Sequence, residues 1–252
     1  NKRVKAFQKI LIKKKINIID FNYDYKPNSI KSWAAKFNGN INDLKNFKYK
    51  SQPLGMGAAS SLITFYNNKN PNLDIIIRKV RELLCTSALI YEKSLNIISK
   101  YKPEKIITFN NRFATCFPII CAAEILGIKV RHHEKGSGIK KYEIFENEVH
   151  DLEQIKKKIK IFWKKSKNKN KKEISKKFFQ NKINNKKTNS ISYTSSQKRG
   201  LLPKLPINKK IITFFTSRDY EKASLMNLDH DQKKYFKRFY KLINKMNEYH
   251  LV

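Results

Sequence analysis

Apolar and polar positions follow strand-like and helix-like periods in turn along the chain, most clearly between residues 104 and 142. Residues 105–109 form a short β-branched apolar run, residues 113–126 carry apolar side chains at helical spacing before Gly127, and a second apolar run begins at Ile128. This order predicts a βαβ unit. Because so short a crossover joins parallel neighbouring strands, the polar residues that follow each strand should meet at one carboxyl edge of the sheet. In open α/β sheets that edge is where ligands bind.

Further helices and a strand are predicted ahead of this unit. Apolar and basic residues alternate at helical spacing over residues 4–15, and residues 16–21 read as a strand. The longest helical pattern covers residues 72–101, with Asn72 or Asp74 as its N-cap and Pro103 just beyond its end. Helices interleaved with strands predict an α/β protein with a Rossmann-like parallel sheet.

A second α/β unit is predicted near the C-terminal end. After a helix at residues 152–163, with Asp151 as its cap, residues 164–199 become rich in Lys, Asn and Ser, which is typical of a linker or insert. An apolar strand at residues 210–216, an amphipathic helix at 231–249 and a strand starting near Leu251 follow. We therefore predict an N-terminal Rossmann-like domain at 1–163, a Lys/Asn-rich linker or insert at 164–205, and the incomplete beginning of a second Rossmann-like domain at 206–252.

The chain carries a large positive charge, with 55 Lys and Arg against 20 Asp and Glu and a net charge of +35. Such a charge attracts nucleic acid, anionic lipid headgroups or phosphorylated substrates. Most of these cations are lysines accompanied by Asn and Ile, a combination that compositional drift also produces, so the charge alone identifies no partner. The lysines of residues 164–199 suit either an anionic membrane surface or a solvated linker.

The cysteines and the two ends of the chain provide information on the cellular compartment of the protein. Cys85, Cys116 and Cys121 lack the spacing of a metal site or a CxxC motif, which predicts core thiols in a reducing compartment. The sequence has no run of 18 apolar residues and no signal peptide at its first residues, so we expect a cytoplasmic protein, with peripheral contact at the inner face of the plasma membrane. It starts at Asn1, and its last residues, 250–252, look like the beginning of a strand. We expect a piece of a longer protein.

The end of the second strand carries the residues best suited to acid–base chemistry. Neighbouring residues of a strand point to opposite faces, so His132 and Glu134 should share one face, and His133 should point the other way. A histidine held by a carboxylate is a usable general base, whereas a lone Glu needs burial to raise its pKa. The alternative role for Glu134 is to tie the loop of Gly136 and Ser137 that follows it.

Two other polar or glycine-rich stretches are candidates for ligand binding. Asn110, Asn111 and Arg112 follow the first strand and suit acceptor hydroxyls or a phosphate, with a surface ion pair as the alternative for the arginine. Gly55 and Gly57 precede a predicted short helix, whose free N–H groups can bind phosphate. The alternative for these glycines is close packing, since no clear strand precedes them and no GxGxxG pattern is present.

The order of several motifs resembles bacterial capsule and surface-polysaccharide glycosyltransferases of the GT-B type, which have two Rossmann-like domains. FNNRFATCFPIICAAEILGIKVRHHEKGSGIKKYEIFENEVHD resembles their strand ending in N-G-R-F-A, helix, H-E-R-G motif and tyrosine-bearing loop with an N-x-x-H-D-like turn. Residues 55–61 resemble a small-residue G-x-x-x-S-S segment, and residues 214–221 resemble the F-x-S-S-x-D-E start of the second domain. Asn111 stands where the family has glycine, Lys135 where it has arginine, and Arg218 where it has the second serine.

This resemblance implies transfer of a sugar from a nucleotide-sugar donor to a growing surface polysaccharide or a lipid-linked acceptor. Together with the strand positions, it assigns catalytic roles to Glu134, His132 and His133, substrate-binding roles to Asn110, Asn111, Arg112, Gly136, Ser137, Gly55, Gly57 and Ser60, and donor-binding roles to Ser217, Asp219 and Glu221. Helix-start carboxylates are the alternative for the last two. No D-x-D or HExxH motif stands out, so we predict no bound metal and no cofactor beyond the substrate. The family holds its donor mainly in the second domain, so this piece alone is expected to be inactive.

Two other functions stay open. Nucleic-acid binding is suggested by the net charge of +35 and by aromatic residues interleaved with lysine and arginine at residues 236–241. Against it, those aromatic residues have helical core spacing, arginines are few and no nucleic-acid-binding signature is present. An inactive, truncated gene product is the other alternative. We favour the transferase, with nucleic acid not expected as its partner.

Overall fold

The computed structural model describes residues 2–19, 27–136, 138, 141–146, 149, 151–184, 186, 204–214, 220 and 232–251. Within these residues the chain forms nine helices and five strands, and the α/β class is confirmed. In chain order the elements are α1 (Lys2–Lys13), α2 (Asn28–Ala35), α3 (Ile41–Asn46), α4 (Leu54–Tyr66), α5 (Ile77–Tyr101), β1 (Lys105–Phe109), α6 (Phe117–Ile125), β2 (Lys129–Lys135), β3 (Tyr142–Phe145), α7 (Leu152–Lys165), α8 (Lys171–Ile183), β4 (Lys210–Ile212), α9 (Gln232–Ile243) and β5 (Tyr249–Leu251).

The main buried cluster lies among helices α2 to α6. On α5, Val80, Leu84 and Ala88 recur every four residues and are fully buried, so this helix presents one continuous apolar face to its neighbours. α4 packs close to α3, since a Cβ on Gly55 would overlap the backbone carbonyl oxygen of Leu44. Helical packing therefore supplies most of the core, and the sheet lies at its side.

A three-stranded mixed sheet, in the order β1-β2-β3, lies against this helical layer. β1 and β2 are parallel and joined through α6, as the sequence predicts, whereas β3 pairs antiparallel with β2. Ile106 and Val130 face the helical core and are partly buried there. Ile107 and Phe109 point the other way and are about half exposed, at 54% and 51%. The inward and outward faces of β1 are thus set by simple alternation.

The C-terminal unit repeats the parallel arrangement. β4 pairs parallel with β5, with Lys210 opposite Tyr249, and α9 lies between the two strands in sequence. Phe214 contacts the rings of Phe236 and Phe239 on α9, with centroids 5.5 and 5.7 Å apart. The predicted strand, helix and further strand of this unit are confirmed, with β4 and α9 shorter than predicted.

Several predicted element boundaries are wrong. The strand predicted at residues 16–21 is absent over residues 16–19, where exposed isoleucines find no partner strand, and its last two residues lie outside the described ones. The long helix starts at Ile77 instead of Asn72, whose side chain accepts a hydrogen bond from the Asp74 backbone N–H at 3.0 Å and stabilises a turn. A helix that the sequence analysis did not predict, α8, lies inside the predicted linker. Lys, Glu and Gln favour helix, and no Gly or Pro interrupts residues 171–183. The three domain boundaries stay predictions.

The N-cap prediction for α7 is confirmed, since the Asp151 carboxylate accepts a hydrogen bond from the Gln154 backbone N–H at 3.0 Å. Over the described residues, no helix has both the length and the apolar character needed to cross a lipid bilayer.

Candidate functional site

The inward-facing row of the β1–β2 ladder becomes polar toward its carboxyl edge. Ile106 lies opposite Val130, and the next inward pair is Thr108 opposite His132. Thr108 and His132 are only 5% and 6% exposed, so two polar side chains occupy positions that alternation assigns to the core. Buried polar groups are stable in the core only when they are hydrogen-bonded, so both side chains need partners inside the protein.

Asn110 continues this row past the end of β1 and contacts Glu134. Its backbone N–H donates to the His133 carbonyl at 3.0 Å, and its φ of +55° turns the chain out of the strand. The Asn110 side-chain amide donates to Glu134 Oε2 at 2.9 Å, while its Oδ1 accepts from the Asn111 N–H at 2.7 Å. The second carboxylate oxygen, Glu134 Oε1, accepts from the Lys135 N–H at 2.8 Å. The half-buried carboxylate is therefore held at both oxygens, at the carboxyl edge of two parallel strands.

His132 lies one step below this pair and is held by Thr108. The Thr108 hydroxyl donates to the Asn110 carbonyl at 3.0 Å and lies 3.3 Å from His132 Nδ1. With the hydroxyl hydrogen on the Asn110 carbonyl, the neutral ring would be the tautomer that donates from Nδ1 and accepts at Nε2. Burial lowers the pKa of His132, and the hydrogen bond to the Asn110 backbone opposes this in part. The imidazole is thus neutral near pH 7 and supports the turn at Asn110.

The predicted geometry of the second strand is confirmed, but the predicted pairing is different. β2 extends to Lys135, so His132 and Glu134 do share the inward face. The carboxylate that was expected to hold the histidine instead accepts hydrogen bonds from Asn110 and from the Lys135 backbone. Glu134 therefore ties the backbone that follows it and is also oriented at the sheet edge by Asn110, the residue after β1. Its catalytic role stays a prediction.

His133 lies on the opposite face of β2, away from this cluster. Its ring centroid is 5.8 Å from that of Phe109 and 5.3 Å from that of Tyr142. The three residues proposed as catalytic are therefore split, with two on the inward face and His133 in an outward-facing aromatic row.

The other candidates near the edge lie in the two connecting loops. Asn111 and Arg112 follow Asn110 and are half-buried, and the Arg112 guanidinium carbon is 4.6 Å from the centroid of the Phe113 ring. On the neighbouring loop, the Gly136 N–H donates to the Lys141 carbonyl at 3.0 Å and closes the turn between β2 and β3. Ser137 lies outside the described residues.

Gly55, Gly57 and Ser60 are all buried on α4. The helix already begins at Leu54, so both glycines lie inside its first turn and not in a loop before it. A Cβ on Gly57 would approach Ala114 Cα to 3.2 Å. Their places in the structure match the close-packing alternative, and they bear on the site through the backbone that they contact.

Two serines that the sequence analysis did not select hold the segment after β1. Ser61 Oγ accepts from the Ala114 N–H at 2.9 Å and donates to the Gly57 carbonyl, also at 2.9 Å. From α5, Ser87 Oγ donates to the Ala114 carbonyl at 3.2 Å. Gly57 and Ser61 are four residues apart on one helix face. This spacing of small residues is the sequence feature that could have identified the contact between α4 and the segment after β1.

The predicted donor-binding residues Ser217, Asp219 and Glu221 lie outside the described residues, so their positions stay predictions. Over the described ranges, no group of three or more His, Cys, Asp or Glu side chains is arranged to hold a metal ion.

Comparisons with protein-family models, with curated proteins and with solved structures gave no match.

Proposed function

We propose that the chain contains the first Rossmann-like domain, and the beginning of the second, of a GT-B glycosyltransferase that acts without a metal. Its substrates would be a nucleotide-sugar donor and a surface-polysaccharide or lipid-linked acceptor. The observation that carries this proposal is the Asn110–Glu134 pair, an oriented carboxylate at the carboxyl edge of two parallel strands, where open α/β sheets bind ligands. The order of the sequence motifs and the second parallel βαβ unit, β4-α9-β5, support it.

Glycosyl transfer needs a group that removes the proton of the acceptor hydroxyl as the new bond forms. In the proposed step, the acceptor oxygen bonds to the anomeric carbon, the bond from that carbon to the phosphate oxygen of the nucleotide breaks, the nucleotide leaves with that oxygen, and the hydroxyl proton passes to Glu134. The carboxylate is half-buried, so an acceptor can reach it, and the Asn110 amide fixes its orientation. Pre-orientation of this kind lowers the barrier because less reorganisation accompanies the proton transfer.

The neighbouring residues take supporting roles in this proposal. His132 is buried and neutral and is a positioning residue, because it acts on Asn110 through Thr108 and through its hydrogen bond to the Asn110 backbone. Asn111 and Arg112, on the loop beyond β1, are candidates to bind acceptor hydroxyls or a phosphate. Ser217, Asp219 and Glu221 would bind the donor from the second domain.

The test compares Glu134→Gln with Glu143→Gln. Glu143 lies directly opposite Glu134 in the β2–β3 ladder and forms an ion pair with Lys158 at 2.5 Å, so the control removes a carboxylate from the same sheet. The resemblance implies that the donor is held mainly by a second domain, so transfer is measured on the full-length product of the gene that encodes this chain. We expect Glu134→Gln to lower transfer at least a hundredfold and Glu143→Gln to leave it within about threefold. Equal activity of the two variants would show that Glu134 is not the base.

A further inference from the structure

Helices α7 and α8 have no buried residue. Elsewhere, α2 to α6 each bury apolar side chains in the core. The two helices contact each other where they meet, since Lys171 Nζ donates to the Trp163 carbonyl at 2.8 Å and lies 5.2 Å from the centroid of its ring. Residues 152–183, here called the α7–α8 surface, thus form a continuous exposed part of the molecule.

α7 is amphipathic although it covers no core. Its apolar residues recur at intervals of three and four and form one stripe about 100° wide, which is the width of a core-facing helix face. Four of its members are large and exposed, with exposed fractions of 67%, 61%, 62% and 43%: Leu152, Ile159, Phe162 and Trp163. α8 adds further exposed apolar residues at Ile174, Phe178, Phe179 and Ile183.

The same surface is strongly basic. Residues 152–183 contain thirteen lysines and two glutamates, a net charge of +11 out of the +35 of the whole chain. Lys157, Lys160 and Lys164 lie together on the polar side of α7, and all three are exposed. One lysine, Lys158, reaches back to β3 and forms an ion pair with Glu143, so it links the helix to the sheet.

We propose that the α7–α8 surface binds the anionic surface of a phospholipid bilayer, with the apolar stripe of α7 inserted at the level of the headgroups. A basic amphipathic helix with aromatic and aliphatic residues on its apolar side is the form that lies in a membrane interface. Trp163 sits beside the lysines at the edge of the stripe, and amphipathic aromatic rings of this kind locate at the boundary between headgroups and acyl chains. This interface would be used whether or not the proposed reaction is correct.

Charge and side-chain chemistry favour lipid over the other occupants. A second copy would bring its own +11 against this surface, which opposes close approach. Single-stranded nucleic acid would satisfy the lysines and stack on the exposed aromatic rings, but it would leave the aliphatic Leu152 and Ile159 without an apolar partner. An anionic bilayer satisfies both halves of the surface, because phosphates meet the lysines and acyl chains meet the stripe.

The experiment is flotation of the 252-residue chain with vesicles containing about 30 mol% phosphatidylglycerol, at about 0.15 M salt. The charge variant carries Lys157→Gln, Lys160→Gln and Lys164→Gln. It should lower the partition coefficient roughly a hundredfold, since each lysine near an anionic surface contributes about fivefold. The stripe variant carries Ile159→Ser and Trp163→Ser and should lower it at least tenfold. Neither changes a buried residue, so far-UV circular dichroism and the melting temperature should stay those of the wild type.

Matched control variants carry the same changes at exposed positions elsewhere. Lys36→Gln, Lys48→Gln and Lys100→Gln remove three exposed lysines, and Phe65→Ser with Ile75→Ser removes two exposed apolar side chains. We expect both controls to bind vesicles within about threefold of the wild type. Equal losses of vesicle binding in the control and the α7 variants would overturn the proposal. Binding would then depend on the total number of lysines and apolar residues and not on the α7–α8 surface.

Trp163 also reports insertion directly. The chain has two tryptophans, so Trp33→Phe leaves Trp163 as the single indole. Brominated acyl chains should quench its fluorescence, and its emission should shift to shorter wavelength on vesicle binding. Vesicle binding without quenching would contradict insertion. Loss of vesicle binding together with tight, α7-dependent binding of an RNA oligomer would replace lipid with nucleic acid as the partner.

Discussion

Asn110→Ala tests whether the contact between Asn110 and Glu134 is as strong as its geometry indicates. The side chain of Asn110 is 4% exposed, donates to Glu134 Oε2 at 2.9 Å and accepts from the Asn111 N–H at 2.7 Å. Its backbone has a φ of +55°, in the left-handed region that alanine disfavours more than asparagine does. The substitution therefore removes two hydrogen bonds and adds backbone strain.

The expected loss follows from these three contributions. A hydrogen bond to a carboxylate contributes about 1.5 kcal/mol at a half-exposed site, and the bond from Asn111 contributes about 0.5 kcal/mol. The left-handed backbone costs alanine about 1 kcal/mol more. Asn110→Ala should lower the free energy of unfolding by about 3 kcal/mol, whereas Asn110→Gly, which relieves the strain, should lower it by about 2 kcal/mol.

Urea denaturation followed by far-UV circular dichroism measures both variants. Asn67→Ala is the matched control, because Asn67 is an exposed asparagine with a φ of +50° at the C-cap of α4. It should cost only the backbone contribution of about 1 kcal/mol. A double-mutant cycle that combines Asn110→Gly with Glu134→Ala isolates the side-chain contact, and we expect a coupling energy of about 1.5 kcal/mol.

A coupling energy below about 0.5 kcal/mol would refute the argument that Asn110 holds the carboxylate. So would an Asn110→Ala loss no larger than that of the Asn67→Ala control. In either case Glu134 would be held only by the Lys135 backbone N–H, and Asn110 would not orient it as a base.

Three further predictions concern other parts of the chain. Burial lowers the pKa of His132, so the unfolded state binds the proton of this histidine more readily than the folded state does. The stability that the neutral ring contributes is therefore present above about pH 6.5 and is lost as the pH falls below that value. His132→Gln should flatten this part of a plot of urea midpoint against pH. A Cβ on Gly55 would overlap the Leu44 carbonyl oxygen, so Gly55→Ala should lower the unfolding free energy by about 3 kcal/mol or leave the chain insoluble. Ser51 has a φ of +69° in a two-residue turn, a backbone conformation that glycine adopts without strain. Ser51→Gly should therefore raise the free energy of unfolding by about 0.5–1 kcal/mol, measured as a higher thermal midpoint.

The βαβ unit was predictable because its signals are local. A β-branched run, an apolar helix closed by glycine and a second run fix the order of β1, α6 and β2, and chain length then fixes their parallel pairing. The start of α6 was also readable and was overlooked. Pro118 is the second residue of the helix, where its missing N–H costs nothing, and the turn at residues 113–116 lies before it.

Elements that depend on distant partners were harder to predict. β3 has four residues and forms because β2 pairs with it, and its own sequence carries little alternation. Asn72 has the composition of a helix cap, yet its side chain accepts from the Asp74 N–H in a turn, and the helix begins at Ile77. Local propensity allows Asn72 to be either a helix N-cap or part of a turn, and the packing of the surrounding chain decides between the two.

The candidate site was half predictable for the same reason. Strand alternation places His132 and Glu134 on one face, and the structure agrees. The partner of each could not be read from the sequence, because it depends on the left-handed backbone of Asn110, which brings its amide to Glu134 and its carbonyl to Thr108. A non-glycine residue with positive φ is fixed by its surroundings, and those of Asn110 are its hydrogen bonds to Thr108, His133 and Glu134.

The most direct test of the proposed transferase is a binding titration of the full-length gene product against UDP-, GDP- and CMP-sugars. An RNA oligomer serves as the control, at about 0.2 M salt, where non-specific attraction to a basic protein is weak. If the chain belongs to such a transferase, one nucleotide class binds saturably and RNA binding is lost. Selective RNA binding without any nucleotide-sugar signal would contradict it, and the positive charge would then be the functional feature of the chain.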